Sequence, residues 1–212
     1  MYLKRFFIFF IFLKISVLNV FGQHNLTQER YADGALKAQG RYTAQHERDS
    51  LWAFFYPDGK TSALLPYKNG MLHGTARFYD FGGQLQAVEF WQNDIQQDSA
   101  WYYENGVLHK CGKLKDGVYD GQWHFYNAQK QLVRQGNYVK GLPDGQWTFW
   151  DDNGTLWQKG QFREGKEQGW WQFFSEKGLL QHEGNYEDGK AVGKWKYYNK
   201  KGKFWKEDLP QQ

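Results

Sequence analysis

Gly145-Gln146-Trp147-Thr148-Phe149-Trp150 is one of four versions of the same phrase. The others begin Gly121-Gln122-Trp123, Gly169-Trp170-Trp171 and Gly193-Lys194-Trp195, so the tryptophans fall 24 residues apart. Upstream the frame continues through Trp52, Ala76 and Ala100 with steps of 24, 24 and then 23 to Trp123, the short step arising at the Asn105-Gly106 turn. Seven units result, preceded by a partial one in which Tyr31-Ala32-Asp33-Gly34 matches Tyr56-Pro57-Asp58-Gly59. Self-similarity at such a period signals a repeat architecture rather than a two-domain enzyme.

Two residues after each anchor come Phe54, Phe78, Tyr102, Phe125, Phe149, Phe173 and Tyr197. A spacing of two puts anchor and ring on one face of a strand. Three residues after it stand Phe55, Tyr79, Tyr103, Tyr126, Trp150, Phe174 and Tyr198, which alternation sends to the other face. Turns such as Asp58-Gly59, Asn105-Gly106 and Asn153-Gly154 supply the positive φ angles of tight hairpins. The return strand carries Leu85, Leu108, Leu132, Leu156, Leu180 and Phe204, then Gly112, Gly136, Gly160 and Gly184, then Tyr67, Trp91, Leu114, Tyr138, Phe162 and Tyr186. The leucine and tyrosine columns are expected to share the anchor face.

Glycine inside a strand weakens it unless something must approach closely, which predicts that neighbouring rings lie over these glycines. The expected fold is all-β: an elongated repeat array of antiparallel β-hairpins, a single-layer meander of about seven 24-residue units and about 14 strands. At roughly 4.8 Å per strand it extends about 65 to 70 Å. Stacked side chains between adjacent units must then hold it together.

The composition agrees. Aromatic residues make up 20% of the 212 residues, with 24 Gly and 4 Pro, a mixture suited to strands and turns. Hydrophobic residues reach 41%, so the chain folds although its mean hydropathy is −0.83. The lone Cys111 excludes an internal disulfide framework and a paired CxxC zinc site. Its place is filled by Gln135, Lys159 and Glu183 in later units, which predicts exposure. The formal charge is +4, but Lys4, Arg5 and Lys14 lie in the first 22 residues, and the near-neutral remainder lacks the basic stripe that nucleic acid requires.

Residues 1–22 have the form of a signal peptide: Lys4-Arg5, an apolar stretch from Phe6 to Phe21, and Val20 and Gly22 at the minus-three and minus-one places. Lys14 breaks the apolar run and argues against a spanning anchor. The expected organisation is a signal peptide over 1–22, a repeat domain over 23–212, and an exported protein in the periplasm, at the cell surface or secreted.

Gly-x-Trp-x-Phe/Tyr-Tyr, a turn, Leu, Gly-x-Tyr and a Gly turn together resemble MORN repeats in their bacterial variant form. The resemblance covers residues 31 to 205 and is weaker where Ala76 and Ala100 replace the anchor; Trp91 and Trp101 are expected to fill the vacated volume. It implies a protein-binding or membrane-associated scaffold, and an antitoxin-like grouping in which such a protein neutralises a partner toxin.

No catalytic, cofactor-binding or metal-ligating set emerges from the residues. Gly160-Gln161-Phe162-Arg163-Glu164-Gly165-Lys166 and Gly184-Asn185-Tyr186-Glu187-Asp188-Gly189-Lys190 spell the phosphate-loop frame, yet each lies between strands and lacks the Ser or Thr that follows Lys. The six histidines form no column, and solvated positions are expected for them. The candidate binding face is the plus-three series Phe55, Tyr79, Tyr103, Tyr126, Trp150, Phe174 and Tyr198, since rings offer flat apolar area at low entropic cost. It points to an unidentified protein or envelope component, with polysaccharide as the alternative ligand, no strong membrane binding by the near-neutral repeats, and an edge-mediated homodimer through the first edge near Tyr31.

Overall fold

The computed structural model describes residues 26–210. The signal-peptide reading of residues 1–22 lies outside them. Within them the chain is one 17-stranded sheet. Its strands are β1 (Thr27–Arg30), β2 (Leu36–Tyr42), β3 (Arg48–Phe55), β4 (Thr61–Lys68), β5 (Met71–Leu72), β6 (Gly74–Tyr79), β7 (Leu85–Gln92), β8 (Ile95–Glu104) and β9 (Val107–Lys115). The second half continues with β10 (Val118–Tyr126), β11 (Leu132–Val139), β12 (Leu142–Trp150), β13 (Leu156–Arg163), β14 (Lys166–Phe174), β15 (Leu180–Glu187), β16 (Lys190–Tyr198) and β17 (Phe204–Asp208). Strands pair antiparallel with their neighbours in sequence, as expected for a meander. The strands beyond the expected 14 come from the partial unit and from β5, which is split from β6 at His73. There Pro66, opposite in β4, has no N–H to give the ladder and accepts instead from the His73 N–H at 2.9 Å.

Two turn types alternate. At one end of each unit a two-residue turn places both residues at positive φ, as at Asn69-Gly70, Asp116-Gly117 and Asp188-Gly189. Its second N–H donates back to the preceding unit: Gly141 to Tyr119 O at 2.8 Å, Gly165 to Pro143 O at 2.9 Å, Gly189 to Glu167 O at 3.0 Å. Each hairpin end is thereby tied to its neighbour. At the other end a longer loop closes with an Asx bond, such as Thr155 N–H to Asp151 Oδ1 at 2.8 Å. Unit three has a two-residue Asn105-Gly106 turn in that place, which accounts for the 23-residue step.

A single sheet has no second layer to bury its apolar side against, and the tryptophans solve this within the sheet itself. Each anchor indole lies over the glycine of the preceding return strand: Trp52 over Gly40, Trp123 over Gly112, Trp147 over Gly136, Trp171 over Gly160 and Trp195 over Gly184. A Cβ at any of these glycines would stand less than 3.0 Å from ring atoms. Four of the five indoles also donate Nε1–H to a carbonyl one residue beyond that glycine, for example Trp123 to Lys113 O at 2.8 Å and Trp147 to Asn137 O at 3.1 Å. The Nε1 of Trp195 is buried without an acceptor.

Neighbouring rings then close over the indole. Tyr138 and Phe162 meet Trp147 edge-on at 5.1 and 5.8 Å, and Phe149 stacks at 5.8 Å. Phe149 in turn reaches Trp171 at 6.4 Å, so the layer runs from unit to unit. The core is one aromatic ring thick, and burying about 200 Å² of each indole contributes on the order of 5 kcal/mol before entropic costs.

Two units depart from this pairing at both positions. Where the anchor is Ala76 the preceding strand carries Leu65, and where it is Ala100 that strand carries Glu89, directly opposite. Glu89 is buried, accepts Trp91 Nε1–H at 3.1 Å, and with burial pushes the Tyr102 phenol up. Trp91 therefore does belong to this region. Trp101 does not: it follows Ala100, turns to the opposite face and is 39% exposed.

Candidate functional site

The second face of the sheet is not a mirror of the first. A register shift falls between the plus-two and plus-three residues of the units, so that Phe125 pairs with Arg134 while Tyr126 pairs with Leu132. Paired residues share a face, which moves the leucine column away from the tryptophans and onto the plus-three side. The expectation that leucines pack with the anchors is thus corrected; the tyrosine column does pack with them, as Tyr138 does on Trp147.

The plus-three rings sit opposite Thr61, Leu85, Leu108, Leu132, Leu156, Leu180 and Phe204 in turn. All seven, Phe55, Tyr79, Tyr103, Tyr126, Trp150, Phe174 and Tyr198, are half-buried. Tyr103 and Tyr126 flank Cys111, whose thiol meets the Tyr126 hydroxyl. Cys111 is half-buried rather than exposed, and burial pushes its thiol up. Beside this series runs a continuous cross-strand file: Val88, Trp101, Cys111, His124, Gln135, Thr148, Lys159, Gln172, Glu183 and Lys196. It begins apolar and becomes polar towards the C-terminus.

Glu183 organises the polar half. It is 8% exposed, and its carboxylate accepts Tyr198 OH at 2.6 Å, Gln172 Nε2–H at 2.8 Å and Trp170 Nε1–H at 3.2 Å. Burial alone would raise this carboxyl, but the three donors and the Lys196 charge outweigh it and hold it below its ordinary range. The Tyr198 phenol, bonded to that anion, is pushed up to about 12. Trp170 is consequently fixed by its polar edge while the ring remains 42% exposed, with Lys196 Nζ 6.0 Å from its centre. Next to it a shallow groove of about 480 Å³ is lined by Gln146, Thr148, Lys159, Gln161, Trp170 and Gln172. Gln146 is held in place by the Gly160 carbonyl at 2.9 Å.

The sequence pattern does not single out Trp170, Gln172 or Glu183. The signal for Trp170 lies in its position: it precedes an anchor where other units carry Gln122, Gln146 and Lys194. One histidine is not solvated as expected: His182 stacks on Phe173 at 4.6 Å with its protonation disfavoured by burial, whereas His46, stacked on Tyr42 at 4.4 Å, is exposed. Among the described residues no three His, Cys, Asp or Glu side chains gather as metal ligands would.

Seventeen strands, a one-ring core and inter-unit turn bonds define an all-β repeat scaffold. It carries MORN repeats of the variant type: the MORN repeat variant model matches residues 48–69, 72–93 and 143–164, including unit two with its Ala76 anchor. Repeats of this kind are in general non-catalytic binding scaffolds. Comparison with curated proteins gives no match. Among solved structures, similarity is found to a mutant of S. aureus TarM in complex with fondaparinux, alpha-GlcNAc-glycerol and UDP, at 15% identity, TM-score 0.31, over 45% of this chain and 19% of that one. TarM alone gives 11% identity and TM-score 0.31 over 49% and 21% of the two chains. A GtfA/B complex bound to UDP and GlcNAc gives 14% and 0.24 over 53% and 22%. The chain thus spans about a fifth of the length of those structures and, at these values, the likeness says nothing of activity.

Proposed function

We propose that the chain is an exported, non-catalytic repeat scaffold that binds a protein, or another component of the cell envelope, through the second face of its sheet. The observation that carries this is the division of labour between the faces. On the first face the anchor tryptophans are buried over glycines, whereas the second leaves Trp101 and Trp170 about 40% exposed, Trp170 beside polar side chains fixed by hydrogen bonds. Rigid rings in a polar surround are what protein interfaces use as anchors. The partner toxin of an antitoxin-like protein would occupy the same face.

A second reading is favoured by the groove beside Trp170. Three glutamines, Thr148 and an indole face suit the hydroxyls and flat apolar side of a sugar, so a neutral polysaccharide is the alternative ligand.

The test is affinity capture from envelope extract with wild type and a Trp101→Ser/Trp170→Ser variant, alongside affinity electrophoresis in neutral glycans. The partner is retained by wild type and lost by a variant with unchanged circular dichroism. Equal capture by both would remove the second face as the binding surface; retardation in a glycan gel abolished by Trp170→Ser would favour the sugar reading. Export is checked by the mass of the mature chain, which begins at Gln23 if residues 1–22 are removed.

A further inference from the structure

The pairing of anchor and receiving residue extends to the two ends of the sheet. Five receiving positions hold Gly under Trp, and two hold a larger residue, Leu65 or Glu89, under Ala. The next position in that column is Asp208, on β17, and it pairs with Trp195 on its inner side. Counting the frame backwards, the anchor position of β1 is Thr27, which pairs with Gly40. β1 pairs with β2 and β17 with β16, and their outer edges carry no strand among the described residues.

We propose that copies of this chain join head to tail, the outer edge of β17 in one copy adding antiparallel to the outer edge of β1 in the next. The register follows from the internal joints. Gln135 pairs with Thr148 and Gly136 with Trp147 where β11 meets β12; by the same frame Glu207 meets Gln28, Lys206 meets Glu29 and Asp208 meets Thr27 of the second copy. A large receiving residue under a small anchor is the combination already built at Glu89 and Ala100. Lys206 and Glu29 bring opposite charges directly across the joint.

The side chains left open at the ends fit one another as well. Phe204 occupies the leucine column, where Leu132 and Leu156 are half-buried, yet it is 59% exposed and its neighbour Trp205 66%. In the joint, continuing that register puts Arg30 opposite Trp205, one place from Phe204. That side chain now lies on the surface, bonded to Gly34 O at 2.8 Å and to Gln28 Oε1 at 2.8 Å, and its guanidinium would reach the exposed Trp205 ring. Because the joint is heterologous, repetition gives open fibres unless it closes into a ring.

The experiment uses cysteine pairs in the full chain carrying Cys111→Ser. Gln28→Cys with Glu207→Cys gives a ladder of disulfide-linked species on mild oxidation, while either cysteine alone stays monomeric on a non-reducing gel. In sedimentation, wild type shows concentration-dependent species. Thr27→Trp, whose indole would strike Asp208, reduces association at least tenfold, and adding Asp208→Gly restores it. Cross-linking by one cysteine alone would show a symmetric joint and overturn the proposal. So would a monomer at all concentrations with no ladder, or association by Thr27→Trp equal to wild type.

Discussion

The indole of Trp147 lies over Gly136 and fills the space a side chain there would need. This relation explains how a single sheet can do without a second layer. The glycine lets the ring descend onto the backbone, where its Nε1–H reaches Asn137 O, and the descent lets Tyr138, Phe149 and Phe162 close around it. Bulk is needed once per pair, on one strand or the other. Leu65 with Ala76, and Glu89 with Ala100, show the alternative solution within the same chain.

The residue two before each anchor has positive φ in all seven units, and five of them use Gly. Ser50 at 63° and Asp98 at 56° are the exceptions. A side chain in this region costs about 1 kcal/mol or slightly more, partly offset by the greater freedom glycine loses on folding. Ser50→Gly therefore raises the thermal midpoint by a few degrees, and Asp98→Gly by less because Asp tolerates this backbone better. Scanning calorimetry of the single variants is the check; a drop in midpoint for both would refute the backbone argument.

Glu183→Ala leaves Tyr198 OH, Gln172 Nε2–H and Trp170 Nε1–H without their shared acceptor. A loss of about 2 kcal/mol is expected in urea unfolding. At the same time the Tyr198 phenol returns from about 12 towards its ordinary 10.0, visible as a changed high-pH absorbance step. An unchanged step would mean that the carboxylate does not govern this face.

His182 is held neutral by burial against Phe173 and Trp195, so its folded pKa lies below the ordinary 6.5. The unfolded chain then binds the proton more readily, and stability is present above pH 6.5 and falls as pH drops towards the folded pKa. His182→Gln flattens that part of the stability curve measured by urea midpoints between pH 7 and pH 5. The Glu183 contribution is lost at lower pH still, since its folded pKa is depressed below 4.5.

Much of the fold was legible because the repeat states it many times. The 24-residue period, the hairpin turns, the short step at Asn105-Gly106 and the glycines beneath rings all follow from residue types at fixed intervals. The faces were less legible. Strict alternation puts Leu132 with the tryptophans, but the register shift after Phe125 gives the strand one extra residue and reverses the parity. Cys111 shows a different limit: its repeat equivalents are polar, yet Tyr103 and Tyr126 cover it. Glu183 is the third case, since charge suggests a solvated residue until Trp170, Gln172 and Tyr198 are seen to converge from two other strands.

The most direct test of the account is a double-mutant cycle at one joint. Gly136→Leu alone forces the Trp147 ring off the backbone and costs about 3 kcal/mol, and Trp147→Ala alone empties the layer at a cost of about 4 kcal/mol. The pair Gly136→Leu/Trp147→Ala rebuilds the Leu65 and Ala76 arrangement, and the account predicts that it is at least 2 kcal/mol more stable in urea unfolding than the sum of the single losses allows. Additive losses would contradict it, because they would mean that ring and glycine contribute to the sheet independently.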